Sequence, residues 1–136
     1  MVMSGKMELK YLVKEMKPKL NKGDYVFVVV SDLSTIDRAQ TLCEFKEAEG
    51  VTIVIEKQIA DKLNLKYDFV ASWITLTVHS SLEAVGLTAV FSSELTKNNI
   101  SSNVIAGFYH DHIFVAKEDS NKAIEVLNEL SKNHVE

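Results

Sequence analysis

The stretch Ile74-Thr75-Leu76-Thr77-Val78-His79-Ser80-Ser81-Leu82-Glu83-Ala84-Val85-Gly86-Leu87-Thr88-Ala89-Val90-Phe91 changes its hydrophobic period half-way along. From Ile74 to Val78 apolar and polar residues alternate strictly, which predicts a strand with Ile74, Leu76 and Val78 on a core face. Trp73, Thr75, Thr77 and His79 then point to the opposite face. After a polar joint, Leu87, Val90, Phe91 and Leu95 recur at i, i+3, i+4 and i+8, one stripe of a helix that ends at Asn98-Asn99. Residues 101–107 and 112–116 read as two more strands, with a turn at 107–111 between them. Ala123, Val126, Leu127 and Leu130 make a closing amphipathic helix whose N-terminus Asp119 is placed to cap.

Upstream of Ile74 the same reading gives a second, less regular set of elements. Leu9, Leu12, Val13 and Met16 fall on one helical stripe, and Pro18 and Gly23 close that helix. Residues 25–30, all aromatic or β-branched, predict a buried strand, and the polar, aperiodic residues 32–40 predict a loop. Residues 41–47 and 51–55 form a hairpin around Ala48-Glu49-Gly50. Ile59, Ala60 and Leu63 mark a short helix, and a strand at 69–71 ends this set before Trp73 begins the next. Strands and helices mix without strict βαβ alternation, so the expected class is α+β, an antiparallel sheet with helices on one face. Two similar modules are expected, 1–71 with a leading helix and 72–136. The first lacks a helix after its first strand.

Composition narrows the functional classes. The chain has 136 residues, 46% hydrophobic and 25% charged, with a net charge of −4. An acidic balance argues against a nucleic-acid partner, which needs a clustered basic surface. Lysines gather early (Lys6, Lys10, Lys14, Lys17, Lys19, Lys22), but Glu8, Glu15 and Asp24 interrupt them, the pattern of a solvated helix face. No apolar run approaches the ~18 residues that span a bilayer, so no membrane partner is expected. The polar start has no secretory apolar region, which makes the cytoplasm the expected location and Asn99-Ile100-Ser101 a chance glycosylation sequon. Cys43, the single cysteine, sits in an apolar-rich run and reads as a buried structural thiol. There is no P-loop, dinucleotide fingerprint or Gly-x-Ser-x-Gly elbow, so neither a cofactor nor an enzyme is expected.

The run from Leu76 to Ala89 resembles the first strand, loop and helix start of ACT domains, where a glycine followed by an aliphatic residue (here Gly86-Leu87) opens the helix. Leu95 and Asn98-Asn99-Ile100-Ser101 are similar to that family's passage from helix to second strand. The runs Thr75 to Gly86 and Asn103-Val104-Ile105-Ala106-Gly107-Phe108-Tyr109-His110-Asp111-His112 are closer still to a bacterial group of short, uncharacterised tandem-ACT proteins. That likeness extends to Gly23-Asp24-Tyr25-Val26-Phe27 and Glu49-Gly50-Val51-Thr52. A more distant similarity, around Asp111-His112, is to the ACT modules of animal arginine sensors. The resemblance implies tandem βαββαβ ferredoxin-like units that sense an amino acid, with the ligand near the first strand-to-helix loop where two modules meet. In this sequence that loop is 79–87, and the poor first module implies one ligand site per chain. It also implies pairing as a homodimer.

The candidate ligand-binding residues are therefore His79, Ser80, Ser81, Leu82, Glu83, Val85, Gly86 and Leu87, with Asn103, Val104, Ile105, Ala106 and Asp111. A helix N-terminus presents unpaired N–H groups to a carboxylate, and a glycine lets a ligand approach the backbone. Glu83 or Asp111 suits an ammonium group, and the carbonyls of 104–106 can assist. Against this, Ser80-Ser81-Leu82-Glu83 also fits a capping box that only satisfies backbone donors. A helix begun there would hold Gly86 in its interior at about 1 kcal/mol, which points to a turn or close packing. Two other functions compete. One is a protein-interaction module using a sheet edge or helix face. The other is a metal-assisted hydrolase, with His110 and His112 on one strand face and His79 joining them. A serine–histidine pair from His79 and Ser80 is obstructed, because adjacent strand residues face opposite ways.

Overall fold

The structure is a computed structural model that describes residues 5–78 and 85–133. Its elements run α1 (Gly5–Glu15), β1 (Pro18–Leu20), β2 (Tyr25–Val30), β3 (Thr41–Lys46), β4 (Val51–Glu56), α2 (Lys57–Lys62), β5 (Val70–Leu76), α3 (Leu87–Lys97), β6 (Ser102–Ala106), β7 (Asp111–Ala116) and α4 (Ser120–Asn133). They form two compact units. One is continuous in sequence, Lys22–Ser72; the other is built from two segments, Met1–Asn21 and Trp73–Glu136.

In the two-segment unit the strand order is β1, β5, β7, β6. Pro18–Leu20 pairs antiparallel with Leu76–Ile74, and β6 pairs antiparallel with β7. The order is that of a ferredoxin-like βαββαβ sheet whose last strand is supplied by the start of the chain. Pro18, expected to do no more than end the leading helix, opens this strand. The first position of a strand tolerates the missing N–H. Three residues with two charges nearby carry no periodic signal, which is why β1 is invisible in the sequence.

Helices α1, α3 and α4 pack on one another and share one core. Leu12, Val13 and Met16 from α1 meet Ile74 and Leu76 from β5, Phe91 and Leu95 from α3, Ile113 and Val115 from β7, and Ala123 and Leu127 from α4. The alternation read from Ile74 onward is thus correct in face, although β5 ends at Leu76. Val78 is buried beyond the strand. Ser131 Oγ donates to the Lys14 carbonyl at 2.8 Å, tying α4 to the last turn of α1.

The continuous unit has strand order β3, β4, β2 and then the Val70–Ser72 part of β5. Val26 and Val28 of β2, Ile53 and Ile55 of β4 and Ala60 of α2 form its core. Where a helix would follow β2, the chain makes a polar loop and a single 3-10 turn, Arg38–Gln40, begun by Asp37, whose side chain accepts from Ala39 N–H. Ile36 from this loop is buried and fills the place an apolar helix face would take. Residues 69–71 and Trp73 onward, read as two strands, are one, because Ala71 pairs with Tyr25 and β5 runs on without a break.

Both α2 and α3 end the same way. Asn64 and Asn99 take left-handed conformations (φ 56° and 60°). Leu65 N–H then reaches back to Ala60 O at 2.9 Å, and Ile100 N–H to Leu95 O at 3.0 Å. This double turn satisfies the last helical carbonyls, and asparagine is among the few non-glycine residues that tolerate it.

The fully buried Phe91 lies at the centre of the three-helix core. Phe91→Ala is expected to lower unfolding free energy by about 3–5 kcal/mol. Ser131→Ala, which removes one hydrogen bond, is expected to cost about 1 kcal/mol. Urea titrations of the two variants beside the parent check both, and equal losses would show that Phe91 does not anchor this core.

Candidate functional site

The strand-to-helix joint is tied down on its strand side. Thr77 donates to the Lys17 carbonyl twice, from its N–H at 2.8 Å and from Oγ1 at 2.7 Å. Of the candidate residues, His79, Ser80, Ser81, Leu82 and Glu83 lie outside the described residues, and with them the capping box. Val85 is 88% exposed, while Leu87 is buried in the core. Gly86 is not a helix-interior residue. It is the N-cap of α3, in a left-handed conformation with φ 102°, and its carbonyl accepts from Val90 N–H at 3.0 Å. A Cβ added there would lie 3.1 Å from Leu9 Cδ2. Dihedral and packing therefore both call for glycine, and the side a Cβ would occupy is filled by α1.

The β6–β7 hairpin carries the other candidates. Ala106 and Asp111 are register partners, as are Ile105 and His112, Val104 and Ile113, and Asn103 and Phe114. Directly opposed residues share a face, so the candidates divide. Val104, Ala106 and Asp111 lie on the face of Ile113, toward the helices. Asn103 and Ile105 lie on the face of His112. Burial raises the Asp111 carboxyl above the ordinary carboxylate range, with His112 nearby pulling it back. An ionised Asp111 is thus less favoured than an exposed one.

The face of His112 holds a polar cluster that the sequence reading missed. Trp73 Nε1 donates to His112 Nδ1 at 3.0 Å, and Thr75 Oγ1 lies 3.1 Å from the same nitrogen. Asn21 Nδ2 donates to Thr75 Oγ1 at 2.9 Å and to the Trp73 carbonyl at 3.3 Å. Burial lowers the His112 pKa, as does His110, against a smaller opposing effect of Asp111. The one available signal was alternation, which puts Trp73 and Thr75 on one face of β5. Nothing local announces that Asn21 and His112 join them.

His110 is not on β7 but in the turn before it, where its carbonyl accepts from Gly107 N–H at 2.9 Å. Its Nδ1 is buried without a hydrogen-bond partner among the described residues. The turn read at 107–111 thus holds His110, and the shared strand face that the metal alternative required for His110 and His112 does not form. Among the described residues no group of three or more His, Cys, Asp or Glu side chains is placed to hold a metal ion. Cys43 is half-buried on β3, and burial, followed by Glu44, pushes its thiol pKa up. That keeps the thiol protonated and unreactive.

Elsewhere, α3 and α4 border an open groove of about 590 Å³, with Glu94, Lys97, Glu129 and Asn133 around Ala89, Val90 and Leu130. None of the candidate residues lines it. At the hairpin tip Phe108 and Tyr109 are 72% and 68% exposed and meet edge to face, their ring centres 5.2 Å apart. No described helix is long and apolar enough to cross a membrane.

Comparison with known proteins bears on this geometry. Two ACT-domain family profiles match, over residues 4–72 and 69–129. A Vibrio cholerae protein of unknown function, described as a possible transport protein, is 45% identical, with a TM-score of 0.84 over 94% of this chain and 99% of that one. An Agrobacterium tumefaciens protein is 19% identical, with a TM-score of 0.70 over 85% and 89%. A putative C-terminal regulatory domain of aspartate kinase from Porphyromonas gingivalis shares the fold at 16% identity, with a TM-score of 0.58 over 87% and 98%. A search of the curated proteins finds no match. ACT domains are regulatory rather than catalytic modules, and with two of them in tandem this chain belongs to the ACT-domain family.

Proposed function

We propose that the protein is a cytoplasmic sensor that binds an amino acid, or a similar small zwitterion, at the joint between β5 and α3, and that it acts as a homodimer without catalysing a reaction. The observation that carries this reading is the left-handed Gly86 at the N-terminus of α3, in the second of two tandem ACT matches. An eleven-residue helix presents N–H groups and a partial positive charge there, which suit a carboxylate. The ammonium group goes to the carbonyls of 103–106 and to Asp111. Since the side chains of 103–106 divide between two faces, recognition there is by backbone. In covalent order the modules divide near residue 71, with α1 and β1 given to the later one.

The sheet edges support pairing of two copies. β3, at one edge, carries Glu44 and Lys46 and a register shift between Thr41 and Cys43, devices that discourage further strand addition. β6, at the other, is Ser-Asn-Val-Ile-Ala, uncharged and in unbroken register with β7. Antiparallel pairing of two β6 strands about Val104 places no like charges opposite one another. A ligand held near that edge would then favour one arrangement of the two copies.

A thermal-shift screen of the twenty amino acids at millimolar concentration tests the ligand. A true ligand at a hundredfold excess over its Kd adds about 2.7 kcal/mol and raises Tm by several degrees. No rise for any of the twenty sinks the amino-acid reading and favours a protein partner, for which the exposed Phe108–Tyr109 pair is the first place to look. Val104→Lys is expected to turn a dimer into a monomer in light scattering, and an unchanged mass would exclude β6 as the pairing edge.

A further inference from the structure

We propose that Trp73, Thr75 and His112 form a proton-operated latch, in which the indole N–H holds the imidazole as its neutral Nε2–H tautomer and a proton arriving at Nδ1 releases the indole from His112. The geometry decides the tautomer. An indole N–H can only donate, so at 3.0 Å the nitrogen it meets must accept. Thr75 Oγ1 already accepts from Asn21 Nδ2 at 2.9 Å, which turns its own hydrogen toward the same His112 nitrogen at 3.1 Å. Nδ1 thus faces two donors. The hydroxyl can rotate to accept from a protonated Nδ1, whereas the indole cannot, so protonation must break the Trp73 bond.

The surroundings leave the imidazolium little room or compensation. A Cβ at Gly107 would stand 3.2 Å from His112 Nε2 and 3.0 Å from the His110 carbonyl, so this turn closes tightly over the ring. On β6 the partner of His112 is Ile105, which is apolar, and on β5 the facing groups are the uncharged Trp73 and Thr75. The turn supplies the titratable neighbours, His110 repelling a positive charge and Asp111 attracting one. Lys19, opposite Thr75 on β1, adds a further positive charge on that side of the sheet. Burial, the largest effect, acts in the same direction as His110. The unfolded chain therefore takes up the proton first as pH falls below the ordinary histidine value of about 6.5, and stability is lost from there down through the lowered native value.

Trp73 is the only tryptophan, which makes its emission a direct reader of the latch. Its ring centre lies 5.8 Å from that of His112. Emission followed from pH 8 to pH 4, beside far-UV circular dichroism, is expected to change in one step below the ordinary histidine range while the backbone signal holds. The step should vanish in His112→Gln. It should move to higher pH in His110→Gln, where a repelling charge is removed, and to lower pH in Asp111→Asn, where an attracting one is. Emission that stays flat until the backbone unfolds, or a step retained in His112→Gln, overturns the latch. Should His112→Gln fail to fold, imidazole nitrogen shifts of the parent protein decide, because a proton on Nδ1 at pH 8 is incompatible with the proposal. The latch needs no ligand, so its failure leaves the sensor reading standing, and a flat amino-acid screen leaves the latch untouched.

Discussion

The three-residue pairing of β1 with the end of β5 is the constraint on which the two-segment unit depends. Pro18–Leu20 must cross roughly fifty residues of intervening chain to meet Ile74–Leu76. Closing so long a loop costs only a slowly growing entropy, since each doubling of length adds about 0.6 kcal/mol. The return is much larger. The short strand is fixed at both ends, by Thr77 on the Lys17 carbonyl and by Asn21 on the Trp73 carbonyl. Fixing it lays α1 across the sheet, where Leu12, Val13 and Met16 are buried. Each such side chain contributes about 1.5–3 kcal/mol on burial. A strand with almost no local preference of its own is thus held by the helix it positions.

This explains which parts of the fold were legible in the sequence. Helix stripes such as Leu87-Val90-Phe91-Leu95 and the β-branched run at 25–30 state their structure locally, because each buries one repeating face. The β3–β4 hairpin announces itself by a glycine between two apolar runs. β1 does neither. Its identity as a strand lies in Ile74–Leu76, far along the chain, and a window of ten residues contains no trace of that. The join of 69–71 to Trp73 was hidden for a related reason. Ala71-Ser72 reads as a break in apolar character, yet Ser72 and Ala71 are both buried because β5 is covered there.

The candidate site was legible as chemistry but not as geometry. Gly86 stands out in the sequence because a helix does not want glycine in its second turn, and the structure answers with a left-handed cap under Leu9. Helical periodicity placed Leu9 on α1 without saying what it would touch. In the same way the spacing of His110 and His112 offered two imidazoles on one face if that stretch were a strand, whereas the tight Gly107–His110 turn leaves the first of them outside β7. The cluster of Asn21, Trp73, Thr75 and His112 left no signature beyond the alternation that puts Trp73 and Thr75 on one face. Its four members come from three separate stretches of chain, and only tertiary pairing of β1, β5 and β7 brings them within hydrogen-bond distance.

Gly86 and Leu9 also link the candidate site to the rest of its unit. The backbone at the first turn of α3 lies against α1 through Leu9. There is no room for a side chain on that side, because a Cβ on Gly86 would stand 3.1 Å from Leu9 Cδ2. Motion must pass to α1, whose last turn is bound to α4 through Lys14 and Ser131 and whose following strand holds β5. The leading helix, which looks like an appendage in the sequence, is the element through which the joint, the closing helix and the sheet are mechanically connected.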